Sequence, residues 1–197
     1  MIHLQLSVTK RGTIHLCKIG ILLLDRDFEH DIYELIKAFY PEGDIHSLYE
    51  KDEEEYDIFF TVKKENDNFV IKYETKDQKG VASAEVIRGA DGDSSQETHE
   101  KLMDAHELRK ANKDSLKYAL YNVLVKLTGR TLPWGNLTGI RPAKLAMGMI
   151  ESGMKNTEIA QVMREHYLLS AKKTALAITI ANRERALLQN IDYEQGY

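Results

Sequence analysis

The sequence predicts an α+β fold, a small βαβββ-type sheet layer followed by a region of about four helices. Three observations carry this reading. Up to Ile87 the apolar residues come in short runs, several with period-2 alternation. Beyond about residue 99 they recur only at helical spacing. Between the two, Gly89 to Glu97 is polar and rich in chain breakers. The expected divisions are a terminal extension or edge strand over 1–17, an α/β subdomain over 18–88, a linker over 89–98 and a helical subdomain over 99–197.

Lys18 to Leu24 is an apolar run too short for a helix and reads as a buried strand. Asp27 to Tyr40 places Phe28, Ile32, Leu35, Ile36 and Phe39 on one helical face, and Pro41-Glu42-Gly43 stops it. Tyr56 to Lys64 alternates through Ile58, Phe60 and Val62. Asn66 to Asn68 turns the chain, and Phe69 to Thr75 returns through Phe69, Ile71 and Tyr73, a hairpin pattern that Val81 to Ile87 extends. In the second half, Leu116, Leu120, Val123, Leu124 and Leu127 form the stripe of a long helix closed by Gly129. Pro142 starts the next helix, which carries Leu145, Met149 and Ile150 and ends at Gly153. Asn156 is expected to cap a short helix with Ile159, Val162 and Met163. Ser170 is expected to cap the last, with Leu176, Ile180, Leu187 and Ile191 as its stripe.

The composition is that of an ordinary globular chain: 197 residues, 43% hydrophobic and 29% charged. Its single cysteine, Cys17, excludes an internal disulfide, a cysteine-based zinc site and a self-contained iron–sulfur cluster. It reads as a small buried hydrophobe. A reducing, cytoplasmic location is expected, because the longest apolar stretch, Ile19 to Leu24, is far too short to span a bilayer. Charge is uneven. Residues 1–98 hold 12 Lys/Arg against 21 Asp/Glu, whereas residues 99–197 hold 15 against 10.

No nucleophile elbow, dinucleotide fingerprint, phosphate loop or metal-binding histidine spacing is present, and the seven histidines are scattered. No catalytic or metal-ligating residue is assigned. Glu53, Glu54 and Glu55 read as a solvated charge run. One region stands apart. Residues 115–150 contain no acid but hold Lys117, Lys126, Arg130, Arg141 and Lys144. At their centre lie the only tryptophan, Trp134, and a glycine-bearing loop that runs into a helix start. Free N–H groups there, beside Arg141 and Lys144, would suit an anion. The structural alternative has Trp134 filling a gap between sheet and helices and Arg141 tying loop carbonyls.

The stretch Pro133-Trp134-Gly135-Asn136-Leu137-Thr138-Gly139-Ile140-Arg141-Pro142-Ala143-Lys144-Leu145 resembles a segment of HemZ-type, oxygen-independent coproporphyrinogen III dehydrogenases of the radical SAM superfamily. Phe28 to Tyr40 looks like that family's first helix. Tyr167-Leu-Leu-Ser-Ala-Lys-Lys173, with the Glu184 helix behind it, looks like the approach to its catalytic domain. The resemblance covers roughly residues 18–197 in order. It implies a [4Fe–4S] cluster on a CxxxCxxC motif, S-adenosylmethionine on the fourth iron, and a deoxyadenosyl radical that drives oxidative decarboxylation of coproporphyrinogen III to protoporphyrinogen IX.

The chain departs from that pattern at its centre, since three thiolates are required and none follows position 17. The resemblance therefore implies an N-terminal accessory region, itself non-catalytic and without cofactor, ending just before the barrel that holds the cluster. The expected partners are the radical SAM domain in cis and coproporphyrinogen III, whose four carboxylates suit Arg130, Arg141 and Lys144, with Trp134 as a substrate or interdomain contact. A purely structural role is the alternative. RNA binding ranks last, because no RNP-like motif or Lys/Arg cluster is present.

Overall fold

The computed structural model describes residues 17–87 and 105–188. Readings that concern residues 1–16, the 89–98 linker and the end of the last helix, including Ile191, fall outside the described residues. The chain divides into two compact units, residues 1–130 and 131–197. The class is α+β.

The first unit runs β1 (Lys18–Leu23), α1 (Glu29–Phe39), β2 (Asp44–Leu48), β3 (Ile58–Glu65), β4 (Asn68–Thr75), β5 (Lys79–Glu85) and α2 (Ala105–Thr128). The sheet order is β2-β1-β3-β4-β5. β1 lies parallel to β2 and β3, and β3, β4 and β5 form an antiparallel meander. Alternation decides which face is covered. Ile19, Ile21, Leu23, Ile58, Phe60, Val62, Phe69, Ile71 and Tyr73 are buried, together with Ile32, Leu35, Ile36 and Phe39 of α1. The expected α2 stripe, Leu116, Leu120, Val123, Leu124 and Leu127, is buried as well, and Tyr121 meets Phe39 edge-on at 5.3 Å between ring centroids.

One expectation changes here. The layer is βαββββ, not βαβββ, because Asp44–Leu48 forms an additional strand. Its five residues, Asp-Ile-His-Ser-Leu, carry little strand propensity of their own. Pairing with β1, from Lys18↔Asp44 to Leu22↔Leu48, makes them a strand. α2 falls in the first compact unit, which ends at Arg130, since it needs an apolar surface for its stripe and finds one on α1, β4 and β5.

The opposite sheet face is covered at one end by the 49–57 loop. A Cβ on Gly20 would come within 2.6 Å of the Phe59 ring and 3.0 Å of Tyr56, so glycine lets both rings lie against β1. The Tyr56 hydroxyl donates to Asp52 at 2.7 Å, Lys18 pairs with Glu54, and the Lys18 ammonium stands 5.1 Å from the Tyr56 ring centre.

The second unit holds α3 (Pro142–Glu151), α4 (Asn156–Glu165) and α5 (Ala171–Leu188). Its core joins Ala146, Met147 and Ile150 to Ile159, Met163, Tyr167, Leu169, Ala177, Ile178 and Ala181. Pro142 is the first residue of α3, as expected. Gly129, φ 68°, follows the end of α2, and Gly153, φ 88°, follows α3. Ser170 does cap α5, its Oγ accepting from the Lys173 N–H at 3.4 Å. Asn156 does not cap α4. It is the first helical residue, the cap position is Lys155, and the Glu158 carboxylate accepts from the Lys155 N–H at 2.7 Å. The Asn156 side chain instead accepts from Asn182 of α5.

The apolar stripe expected on α5 is on the wrong side. Leu176, Ile180 and Leu187 are 42, 36 and 68% exposed, while Thr174, Ala177, Ile178 and Ala181 are buried. Small residues on that face let α5 pack closely against α3 and α4, and this wins over the larger side chains. On α3 the same shift places Ala146 and Met147 inside, with Leu145 and Met149 only partly buried at the margin of the core.

Candidate functional site

The segment singled out in the sequence is a backbone clasp. Between α2 and α3 the chain turns at Leu132–Asn136, where the Gly135 N–H donates to the Leu132 carbonyl at 3.0 Å. This turn is gripped by residues 166–170, which connect α4 to α5. The Ser170 N–H donates to the Pro133 carbonyl and the Asn136 N–H to the Tyr167 carbonyl, each at 3.0 Å. The Asn136 side-chain amide reaches the His166 carbonyl at 3.4 Å, and the residue is 3% exposed. Gly135 is required twice over. Its φ is 59°, and a Cβ there would fall 1.9 Å from the Tyr167 carbonyl oxygen. The facing segment contributes its own constrained residue, Leu168, at φ 59°. Two sequence segments 30 residues apart, Pro133-Trp-Gly-Asn and Tyr167-Leu-Leu-Ser, are therefore one structural feature.

Trp134 projects from this turn and packs, half-buried, against the core of the helical unit. The Lys173 ammonium sits 4.6 Å from its ring centre, a cation–π contact typically worth about 0.5–1 kcal/mol when exposed. Arg141 and Lys144 are exposed, and neither side chain makes a hydrogen bond or ion pair among the described residues. Arg141 thus does not tie loop carbonyls. Its own carbonyl instead receives the N–H groups of Lys144 and Leu145, at 3.0 and 3.4 Å. With Pro142 lacking an N–H, the first turn of α3 offers an anion fewer donors than an ordinary helix start. Arg130 belongs to the sheet unit, where its guanidinium lies 5.9 Å from the Phe39 ring centre. Trp134, Arg141 and Lys144 belong to the helical unit.

Sequence reasoning missed Gly135 and Asn136 as the residues that hold the clasp. A Gly-Asn pair signals a turn, but nothing in the string says that the turn grips residues 30 positions away.

A second concave region lies on the sheet unit, a cavity of about 710 Å³ lined by Leu22, Phe59 and Tyr56 with Lys51, Glu55 and Thr61. The acidic run read as a solvated loop forms its rim, with Glu53, Glu54 and Glu55 exposed. Most of its charges are already matched, Lys18 with Glu54 and Lys76 with Asp57 at 3.4 Å. Burial, reinforced by hydrogen bonding to Asp52, holds the Tyr56 phenol well above its usual range.

Cys17 is half-exposed rather than buried. Partial burial and then the Asp57 carboxylate push its thiol up to about 11, far from the thiolate that iron or zinc binds. One cysteine cannot supply the three thiolates of a radical SAM cluster, and no group of three or more His, Cys, Asp or Glu side chains could hold a metal among the described residues. The residues present do not fit that cofactor. No helix of the described residues is long and apolar enough to cross a membrane.

Over 104 residues the sequence is 33% identical to the oxygen-independent coproporphyrinogen-III oxidase-like protein HemZ of Bacillus subtilis (strain 168), a match covering 51% of this chain and 21% of that protein. This chain is similar to HemZ. The match supports a likeness to HemZ, and it concerns about a fifth of the HemZ length. No protein-family profile matches the chain, and no solved structure matches it.

Proposed function

We propose that this chain is a non-catalytic accessory region of an oxygen-independent coproporphyrinogen III oxidase-type enzyme of porphyrin and haem biosynthesis. The similarity to HemZ over about a fifth of that protein's length carries the proposal. In this reading the [4Fe–4S] cluster and S-adenosylmethionine belong to a radical SAM domain supplied in cis, and the accessory region docks on it in the cytoplasm. The outward face of α5 supports docking. Leu176, Ile180 and Leu187 recur along one side of the last described helix, exposed to a degree that a monomer gains nothing from.

The same reading gives the Trp134 loop a structural duty, because its polar backbone is spent on holding residues 166–170. Arg141 and Lys144 remain as two cations without an ion pair among the described residues, of the right sign for substrate carboxylates. The test uses the enzyme formed by this chain and its catalytic domain, with coproporphyrinogen as substrate. Leu176→Asp with Ile180→Asp is expected to release the accessory region, seen as loss of association when the two parts are produced as separate polypeptides. Association unchanged by this pair overturns the docking surface. Arg141→Ala with Lys144→Ala is expected to raise KM with kcat preserved. An unchanged KM removes the substrate role and leaves the structural one.

A further inference from the structure

We propose that the free edge of the sheet, strand β5, pairs antiparallel with β5 of a second copy of this chain and extends the sheet through a homodimer. Among the described residues β5 is the outermost strand and is bonded only to β4. The Thr75 N–H donates to the Gln78 carbonyl and the Val86 N–H to the Asp67 carbonyl. With the register Glu74↔Lys79 to Asn68↔Glu85, these bonds turn the main-chain groups of residues 80, 82 and 84 inward to β4. Those of Lys79, Val81, Ser83 and Glu85 point out from the edge. The same four side chains stand on the open sheet face, all exposed, Val81 at 65%.

This edge is self-complementary. Antiparallel pairing about Ala82 sets Lys79 opposite Glu85 of the second copy, Val81 opposite Ser83, and the reverse pairs beyond the axis. Every outward main-chain group then faces a partner of the right kind, and each end of the interface carries a cross-strand Lys–Glu pair. The small side chain of Ala82 at the axis offers no obstacle. Lys79–Glu85 carries no proline, bulge or inward charge that would bar pairing along its length. α2 fixes where pairing stops. Its Asn112 accepts from the Ile87 N–H and donates to the Ile87 carbonyl, and Ser115 donates to the Glu85 carbonyl, which retains a second lone pair. β2, the opposite edge, has no such complementarity, since Asp44 would face Leu48.

The experiment is sedimentation velocity on the full chain across a concentration series, with circular dichroism to confirm folding. The wild-type chain is expected to dimerise reversibly. Glu85→Lys opposes two lysines at each end and is expected to weaken the dimer at least about tenfold. The exchanged pair Lys79→Glu with Glu85→Lys is expected to restore it to within about threefold. Val81→Pro removes an outward N–H that makes no bond within the sheet, so it is expected to abolish the dimer and leave the fold intact. A chain that stays monomeric up to about 100 μM overturns the proposal. So does a dimer indifferent to both Glu85→Lys and Val81→Pro, or one that the exchanged pair fails to rescue. Should Val81→Pro not fold, the exposed charge exchange decides alone.

Discussion

The two units solve the problem of holding a chain together in different ways. The sheet unit relies on large apolar side chains set at regular intervals, with Phe39, Phe60, Leu120 and Leu124 essentially inaccessible. The helical unit has a core of alanines, methionines and isoleucines, and it adds a main-chain crossing at Gly135 that tolerates no side chain. A core of the first kind accepts many sequences of similar volume. A crossing of the second kind accepts almost one, which explains why the most distinctive string in the chain lies in the helical unit.

That contrast can be broken by mutation, and Trp134 reports on it because the only tryptophan lies in the helical unit. The largest effect is expected from Gly135→Ala, which meets the Tyr167 carbonyl and a positive φ together. A loss of about 3–5 kcal/mol, on the scale of the most damaging single substitutions, should appear as an early transition in tryptophan fluorescence during urea unfolding. A small shift there would mean that the crossing is not what holds the unit.

Leu120→Ala comes next at about 2–5 kcal/mol, the usual range for a buried leucine in a packed core. It should appear in far-ultraviolet circular dichroism while the tryptophan transition is largely retained. Coincident loss of both signals would show that the units unfold as one. Asn136→Ala, which removes the side-chain bond of a buried residue to the His166 carbonyl, is expected to cost about 1–3 kcal/mol in the tryptophan transition.

Lys117 of α2 sharpens the comparison from the opposite direction, as a charge inside the apolar stripe. It is 5% exposed, its ammonium 3.9 Å from the Asp31 carboxylate. Burial holds its pKa below the ordinary 10.5, with Asp31 opposing and Lys113 adding to the depression. The folded chain therefore releases this proton at lower pH than the unfolded chain. The cost is fully present at neutral pH and falls as pH rises through the folded value toward 10.5. Lys117→Met is expected to leave stability at pH 7 unchanged or raised by up to about 2 kcal/mol, and to remove the alkaline gain. A destabilised variant would show that the Asp31 pair outweighs burial. Arg141→Ala and Lys144→Ala should matter least, within about 0.5 kcal/mol in the same assay, as exposed cations.

Much of the sheet unit was legible. Alternation through Ile58, Phe60 and Val62 and the stripe from Leu116 to Leu127 both name the residues that are buried. β2 was not legible, because its order comes from β1. The α5 face was misread because hydrophobicity ranks Leu176 above Ala177, whereas close helix packing prefers the alanine. Of the candidate site, Trp134, Arg141 and Lys144 were picked out by composition alone, and the Lys144 and Leu145 N–H groups beside them are spent on the Arg141 carbonyl. Gly135 and Asn136, which build the loop, passed unnoticed.

The sequence by itself determined the α+β class, the order of most elements, the absence of a cluster-binding cysteine set and the likeness to HemZ. These follow from local periodicity and residue counts, which need no knowledge of distant contacts. Only the tertiary structure decided that α2 belongs to the sheet, that Pro133–Asn136 and His166–Ser170 are one clasp, and which side of α5 is buried. Each of those depends on surfaces brought together from far apart in the chain, where close packing and hydrogen-bond satisfaction outweigh the preferences of any single segment.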